Sequence, residues 1–183
     1  SINIINAEEL ARESGGTLGA LLDWKPGISA SAFTAGASRP VLRGFDGPRV
    51  RILNDGIESL DASDASPDHG VAAEPLLAER IEVLRGPSTL LYGGSAIGGV
   101  VNVIGREIPR YPGNGDLSGA VEMRGDTVSN GKTALGYAQF SEEQWAVSVT
   151  ALKRKDGDYE IPKSSGVDGS GSRGTVENSF AET

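Results

Sequence analysis

The sequence contains no cysteine and a single histidine among its 183 residues. Without cysteine the chain has no disulfide bonds, no thiolate metal ligands and no thiol nucleophile. A Ser-His-Asp triad would have to use His69, which lies in a segment rich in Gly and Asp with no Gly-x-Ser-x-Gly turn nearby. We therefore expect that the protein is not an enzyme, and we assign no catalytic residue and no cofactor.

Phosphate-binding loops and an excess of positive charge are also missing. The glycine-rich segment Gly93–Gly99 is not followed by the Gly-Lys-Ser/Thr of a P-loop, and it lacks the Gly-x-Gly-x-x-Gly spacing of a dinucleotide site. The 17 basic residues are outnumbered by 25 acidic ones. This balance disfavours a nucleic-acid partner.

Long apolar runs do not occur. A transmembrane helix needs about 18 or more consecutive apolar residues, whereas a transmembrane β-strand is shorter and stays allowed. The N-terminal residues Ser1–Ile5 lack the charged region and the long apolar core of a signal peptide. We expect that any export signal has been removed from the chain.

Two short helices are predicted at the start of the chain. Asn6 followed by Glu9 fits a capping box before a helix over Ala7–Glu13. Thr17 can cap a second helix over Leu18–Asp23, which ends before Pro26-Gly27.

From Ile28 onward the pattern changes to that of short strands, which predicts a small mixed sheet closing near Glu107. Turn residues separate the strands, since Gly, Asn and Asp tolerate positive φ and Pro cannot donate to a ladder. The predicted strands are Val41–Gly44, Arg49–Leu53, Arg80–Leu84 and Gly99–Ile104, and the structural turn residues are Asn54, Asp55, Gly56, Gly86, Pro87, Gly93, Gly98 and Gly99.

An acidic segment lies between Asp55 and Glu74, with six acids, one histidine and no Lys or Arg. Carboxylates and a neutral imidazole are ligands for zinc. The alternative is a loop whose acids face water, as charge runs usually do. The candidate metal ligands are Asp61, Asp64, Asp68 and His69.

Four arginines, at positions 39, 43, 49 and 51, lie within thirteen residues of the sequence. Guanidinium groups bind phosphate or carboxylate through paired hydrogen bonds. They also form ion pairs on polar surfaces, and we favour this structural role, with carboxylates of a surrounding barrel wall as partners.

After Pro112 the sequence consists of segments of about ten residues with period two, the length of a tilted transmembrane strand. Leu117, Val121 and Met123 share one face of the first segment. We expect Tyr137 and Trp145 in aromatic belts beside an apolar band. An ordinary antiparallel sheet with one wet face shows the same alternation. The predicted strands are Leu117–Asp126, Lys132–Phe140 and Gln144–Arg154, with a surface loop after Asp156.

Several motifs together closely resemble the plug of TonB-dependent receptors, in order and in spacing, over about residues 1 to 107. They are Pro40-Val41-Leu42-Arg43-Gly44-Phe45, Val50-Arg51-Ile52-Leu53-Asn54-Asp55-Gly56, Arg80-Ile81-Glu82-Val83-Leu84-Arg85-Gly86-Pro87, Tyr92-Gly93 and Ala96-Ile97-Gly98-Gly99-Val100-Val101-Asn102-Val103-Ile104.

The resemblance implies an α+β fold, in which a small mixed-sheet plug domain, 1–107, is followed by antiparallel transmembrane β-strands of an incomplete β-barrel, 108–183, with an extracellular loop. In the family such a plug fills a barrel of about 22 strands in the bacterial outer membrane. The resemblance further implies that Arg43 and Arg85 tie the plug to glutamates of the barrel wall.

The implied partners are the remainder of the barrel, outer-membrane lipid, a transported ligand and TonB. No TonB box is recognisable before Ala7, so we expect TonB to bind an N-terminal segment missing from this sequence.

The implied function is nutrient import energised by TonB. The segment Ser66-Pro67-Asp68-His69 with Ala72–Glu79 is similar to plugs of zinc-uptake receptors, so Zn²⁺ is the first candidate for the cargo. The alternatives are a ferric siderophore, haem or cobalamin. A function of another class is a soluble ligand-binding or adhesive domain, which predicts that residues 108–183 pack as a β unit of their own.

Overall fold

The computed structural model describes residues 2–13, 15–34, 36–58, 62–64, 66–67, 69–71, 73–106, 115–125, 127, 130–157, 159–161, 174–176 and 181–182. The chain divides into two compact units. The first unit comprises Ser1–Phe33 and Ala37–Arg106, and the second comprises Thr34–Gly36 and Glu107–Thr183.

The elements follow in chain order. The helices are α1 (Ala7–Arg12) and α2 (Leu18–Leu22), with 3₁₀ turns at Gly47–Arg49, Ala62–Asp64, Pro75–Leu77 and Pro87–Tyr92. The strands are β1 (Ile2–Asn6), β2 (Ile28–Thr34), β3 (Ala37–Leu42), β4 (Val50–Asn54), β5 (Ile57–Glu58), β6 (Ala78–Leu84), β7 (Gly99–Gly105), β8 (Asp116–Gly125), β9 (Lys132–Ser141), β10 (Ala146–Asp156), β11 (Tyr159–Ile161), β12 (Gly174–Val176) and β13 (Ala181–Glu182).

Both predicted helices are present. The backbone N–H of Glu9 donates to Asn6 Oδ1 at 3.0 Å, and the N–H of Asn6 donates to Glu9 Oε2 at 3.3 Å, which completes the capping box of α1. Thr17 occupies the N-cap position of α2 without a capping hydrogen bond from its side chain. Among the described residues, no helix is long and apolar enough to cross a membrane.

A mixed five-stranded sheet, in the order β1-β6-β7-β4-β5, forms the centre of the first unit and confirms the predicted fold class. β4 and β7 are parallel, and the other neighbours are antiparallel. Strands β2 and β3 form a separate pair. The main core joins sheet residues to the leucines of the two helices, and each such buried side chain contributes about 1.5–3 kcal/mol. Its members include Leu10, Leu18, Leu21, Leu22, Ile81, Val83, Val101 and Val103.

The second unit contains an antiparallel sheet in the order β13-β10-β9-β8. Directly paired residues of neighbouring strands share a face, so the register places Leu117, Phe140 and Val147 in one row on one face. The rest of that face is apolar over most of its length. Leu117, Val121 and Met123 are 76%, 77% and 79% exposed.

The aromatic residues of this sheet differ from the prediction in one respect. The rings of Phe140 and Trp145 lie 5.4 Å apart at one end of the apolar face. Tyr137 pairs with Ala120 and Thr150, and it therefore lies on the opposite, polar face. The prediction of a belt position for Tyr137 was wrong because this register turns Tyr137 away from the apolar face. On β9 that face carries Ala134, Ala138 and Phe140.

Candidate functional site

The buried arginine Arg39 joins strand β3 to the acidic segment. Its Nη1 donates to the backbone carbonyl of Ser63, and its Nη2 lies 3.3 Å from Asp46 Oδ2. Ser63 is fully buried in the 3₁₀ turn Ala62–Asp64. A hydrogen bond from a charged donor to a buried carbonyl is among the stronger kinds. Arg39 thus attaches the middle of the acidic segment to strand β3.

A second arginine, Arg51, connects strand β5 to the turn that precedes β7. Its Nη1 forms an ion pair with Glu58 on β5. Its Nε and Nη2 donate to Ser95 Oγ at 3.1 and 2.9 Å. Arg39 and Arg51 therefore have partners within the first unit, and not on a surrounding barrel wall as predicted from the sequence.

The other two arginines of this cluster are exposed. Arg43 follows β3 with φ of 52°, an unusual value for a non-glycine residue, and its backbone N–H donates to the carbonyl of Gly27 at 3.1 Å. Within the described part of the chain, neither Arg43 nor Arg49 forms an ion pair through its side chain. Both guanidinium groups are accessible to a partner outside this unit.

Arg85, the second predicted anchor, is placed differently. It directly follows β6, only 8% of its surface is exposed, and its Nη1 donates to the carbonyl of Pro26 at 2.9 Å. The side chain thereby links the end of β6 to the turn after α2. Of the two predicted anchors, Arg43 is the one whose side chain extends into the surroundings of the first unit.

The predicted metal ligands are only partly described by the structure. Asp61 and Asp68 lie outside the described residues. Asp64 is half-buried in its 3₁₀ turn, and His69 is exposed. Among the described residues, no group of three or more His, Cys, Asp or Glu side chains is placed to hold a metal ion.

The turn between β4 and β5 consists of Asp55 and Gly56, with φ of 51° and 83°. A two-residue type I′ hairpin turn requires positive φ at both positions, which Asp tolerates and Gly favours. Asn54 pairs with Ile57 across this turn. The turn is also held by β7, because Gly56 N donates to Asn102 Oδ1 at 2.9 Å.

Asn102 has a structural role that was not predicted from the sequence. Besides accepting from the turn, its Nδ2 donates to Glu82 Oε2 at 3.3 Å, and Glu82 Oε1 accepts from Arg80 Nε at 2.9 Å. The chain of bonds crosses β6 and β7 to the hairpin. A polar amide within the apolar run of β7 was the available signal, since a buried polar group needs partners.

The glycine-rich segment before β7 packs closely against other backbone. A Cβ on Gly98 would lie 2.5 Å from Phe45 Cβ and 2.9 Å from the carbonyl oxygen of Arg49. This close approach leaves no room for a side chain at position 98. Besides Gly56, the predicted turn glycines with positive φ are Gly86, before Pro87 at the start of a 3₁₀ turn, Gly93 after that turn, and Gly99.

Comparison with known proteins gives a family match and several relatives. The family model described as "TonB-dependent Receptor Plug Domain" matches residues 1–100. The ferrioxamine receptor of Yersinia enterocolitica is 29% identical over 158 residues, covering 84% of this chain and 21% of the relative. The ferrichrome outer membrane transporter/phage receptor of Escherichia coli is 31% identical over 160 residues, covering 84% of this chain and 20% of the relative.

Among solved structures, the copper transporter OprC matches with a TM-score of 0.71 and 22% identity, covering 94% of this chain and 25% of the other. At this identity the likeness concerns the fold. The chain spans about a fifth of the length of the curated relatives it matches. These relatives are receptors and transporters rather than enzymes, in agreement with the expectation from the sequence.

Proposed function

We propose, because this chain belongs to the TonB-dependent receptor plug domain family, that it forms the plug and the first barrel strands of an outer-membrane receptor that imports a ferric siderophore. In this proposal residues 1–107 are the plug, and residues 108–183 begin the barrel. The observation that carries it is the combination of a family match over residues 1–100 with a following sheet whose apolar face is exposed.

The second unit supports the membrane part of the proposal. Leu117, Val121 and Val149 are 76%, 77% and 64% exposed on the apolar face. Exposed apolar patches on this scale are costly in water and mark a surface that another apolar medium covers. A soluble domain would instead be expected to pack these side chains. The exposed apolar face therefore supports an outer-membrane barrel over a soluble ligand-binding or adhesive domain.

The names of the relatives support a ferric siderophore as the cargo in place of the zinc suggested by the sequence. The relatives from Yersinia enterocolitica and Escherichia coli are named for ferrioxamine and ferrichrome. For zinc, no group of three or more His, Cys, Asp or Glu side chains among the described residues is placed to hold a metal ion, whereas a zinc site usually has three or four protein ligands.

Gating follows from the family assignment. We infer that TonB pulls on a segment preceding β1 and that the plug rearranges to open a path. Arg43 is the proposed anchor to the wall because its guanidinium group is accessible, and Arg85 supports the position of its neighbours through Pro26.

Uptake in cells tests the proposal. The full-length receptor, expressed in a Gram-negative strain without its own siderophore receptors, is expected to import radioactive iron carried by ferrioxamine B or ferrichrome. Deletion of TonB is expected to abolish the uptake, because transport draws its energy through TonB. The same cells should gain no uptake of radioactive zinc.

Two other outcomes distinguish an error in the proposed cargo from an error in the receptor assignment. Zinc uptake that depends on TonB, together with weaker zinc binding by His69→Ala, would restore zinc as the cargo and leave the receptor assignment intact. A protein that stays in solution without detergent and gives no uptake of any cargo would contradict the receptor assignment itself.

A further inference from the structure

We propose that three lysines at one end of the apolar face, Lys132, Lys153 and Lys155, form a binding site for the phosphate groups of lipid headgroups. We call them the lysine cluster. The inference rests on the proposed function, since it takes the apolar face as the surface that meets the membrane.

The register places the cluster on the apolar face. Lys132 pairs directly with Lys155 across β9 and β10, and Lys153 pairs with Ala134. On its other side, Ala134 pairs with Met123, so Met123, Ala134 and Lys153 form one row across the sheet and lie on the same face. All three lysines are exposed. Their side chains therefore share one face with Leu117, Val121 and Val149.

The distance along the strand fits the membrane boundary. Lys132 is eight residues from Phe140 on β9, which corresponds to about 27 Å at about 3.4 Å per residue. At a strand tilt of about 40° the rise along the membrane normal is about 21 Å, close to the apolar band of about 25 Å in outer-membrane barrels. The Phe140–Trp145 ring pair at one end and the lysine cluster at the other therefore bracket one apolar layer.

The charges on this face call for an anion. Like charges directly opposite each other in a sheet are unfavourable, and Lys132 and Lys155 occupy such a pair. The register supplies one acidic position beside them, Glu182, which pairs with Lys155 from β13. Among the strand pairs of the described residues, the register thus gives this face three lysine positions and one acidic position. Long lysine side chains at a membrane boundary extend their ammonium groups toward headgroups.

Lipid titration of the purified full-length receptor tests the proposal. In detergent, native mass spectrometry would count bound short-chain phosphatidic acid, with short-chain phosphatidylcholine and inorganic phosphate as separate arms. The wild-type receptor is expected to bind phosphatidic acid at least tenfold more tightly than the triple variant Lys132→Gln, Lys153→Gln, Lys155→Gln. The matched variant with arginine at all three positions keeps the charge and is expected to bind like the wild type.

Each other outcome contradicts the lipid site. If the glutamine variant binds phosphatidic acid as tightly as the wild type, the lysine cluster is not the binding site. If inorganic phosphate binds as tightly as the lipid, the ligand is a free anion and not a lipid. If the triple glutamine variant fails to fold, Lys153→Gln alone is expected to weaken lipid binding about threefold, and an unchanged affinity would overturn the proposal. Heat-dependent migration in gels reports barrel formation separately, so failure of the receptor assignment is recognised independently.

Discussion

The two units treat their apolar side chains in opposite ways. In the first unit, leucine, isoleucine and valine side chains gather in a core between the sheet and two helices. In the second unit, Leu135 is the one buried hydrophobic residue among those that the structure describes, whereas Leu117, Val121, Met123, Val147 and Val149 are more than half exposed. The first unit buries a continuous core, although Leu90 and Leu91 of its last 3₁₀ turn stay exposed, whereas the second unit exposes the apolar face of its sheet.

The comparison shows what strand alternation can and cannot reveal. Ile81 and Val83 on β6 alternate with polar residues much as Val121 and Met123 do on β8. Alternation predicts which residues share a face. What lies over that face depends on other elements, here the helices α1 and α2 for β6. The following changes test that difference.

Truncation in the core of the first unit is expected to have the largest effect. Ile81 is fully buried in the main cluster, and Ile81→Ala should lower the free energy of unfolding by about 2–5 kcal/mol because it leaves a cavity. Urea titration of the receptor measures it. Ile57→Ala, at a position 75% exposed, is the control with a small effect. Equal losses for the two variants would contradict the assigned core.

A charge on the apolar face of the second unit is expected to act nearly as strongly. Val121→Arg should cost about 2–4 kcal/mol of folding free energy in lipid vesicles, since Val121 lies near the middle of the proposed lipid-facing band. Ala120→Arg, on the opposite face of the same strand, is the matched control. If the control costs as much as the test variant, the apolar face is not the lipid-facing one.

Close packing in the first unit can be probed at a glycine. Gly98→Ala would force a Cβ to within 2.5 Å of Phe45 Cβ, and overpacking of this kind costs about 1–3 kcal/mol. Gly94→Ala introduces a Cβ with no atom within 4 Å and should be close to neutral. Thermal unfolding of the two variants gives the comparison, and matching midpoints would argue against the tight approach.

Anchoring of the first unit to its surroundings is tested at Arg43. Arg43→Gln removes the charge of an exposed side chain, and the loss of the proposed charged hydrogen bond to the barrel wall should cost about 1.5–3 kcal/mol. Arg12→Gln removes an exposed arginine whose ion-pair partner, Glu8, lies on its own helix, and it should have little effect. Entry of a large antibiotic through the receptor reports a loosened plug, and equal entry through both variants would speak against Arg43 as the anchor.

The smallest expected effect concerns Glu9 in the first unit. The hydrogen bond that Lys25 donates to Glu9 at 3.1 Å is the main cause that holds the pKa of the Glu9 carboxyl below its ordinary value of 4.5. The hydrogen bond from the backbone N–H of Asn6 lowers the pKa further. A carboxyl whose pKa is lowered in the folded protein stabilises the fold at pH values above its ordinary pKa. This stabilisation is lost as the pH falls through the lowered pKa. Glu9→Gln keeps the capping acceptor and removes the charge.

The Glu9→Gln variant should therefore be slightly less stable than the wild type at neutral pH, and the difference should disappear on acidification. Chemical unfolding at a series of pH values measures it. A difference that grows toward low pH would have the wrong sign for this mechanism.

Local signals predicted much of the first unit. The capping pattern at Asn6 and Glu9 located α1, and the Asp55-Gly56 dipeptide located the hairpin, because both depend on residues only a few positions apart. Strand β1 was not predicted, since its partner β6 begins at residue 78 and nothing in Ile2–Asn6 identifies it. Pairing over such a separation depends on the whole sheet.

Side-chain partners were the least predictable part of the candidate site. The four arginines are alike in sequence, yet Arg39 is buried against Ser63 and Arg43 is exposed. Their positions relative to β3 differ: Arg39 lies within the strand, whereas Arg43 follows its end. In β9 the bulky Tyr137 suggested the wrong face, because the register with β8 and β10, rather than residue size, decides which side chains share it.

The strand order of the first unit also affects how the protein is made. β7 is the last strand of that sheet in the sequence and its central one, joined to β6 on one side and to β4 on the other. Before it arrives, β1 with β6 and β4 with β5 can form two separate ribbons, and isolated two-stranded ribbons are marginally stable at best. A chain that emerges during synthesis therefore cannot complete the five-stranded sheet until Gly105 is available. A chain cut shortly before Gly105 would leave both ribbons exposed to aggregation.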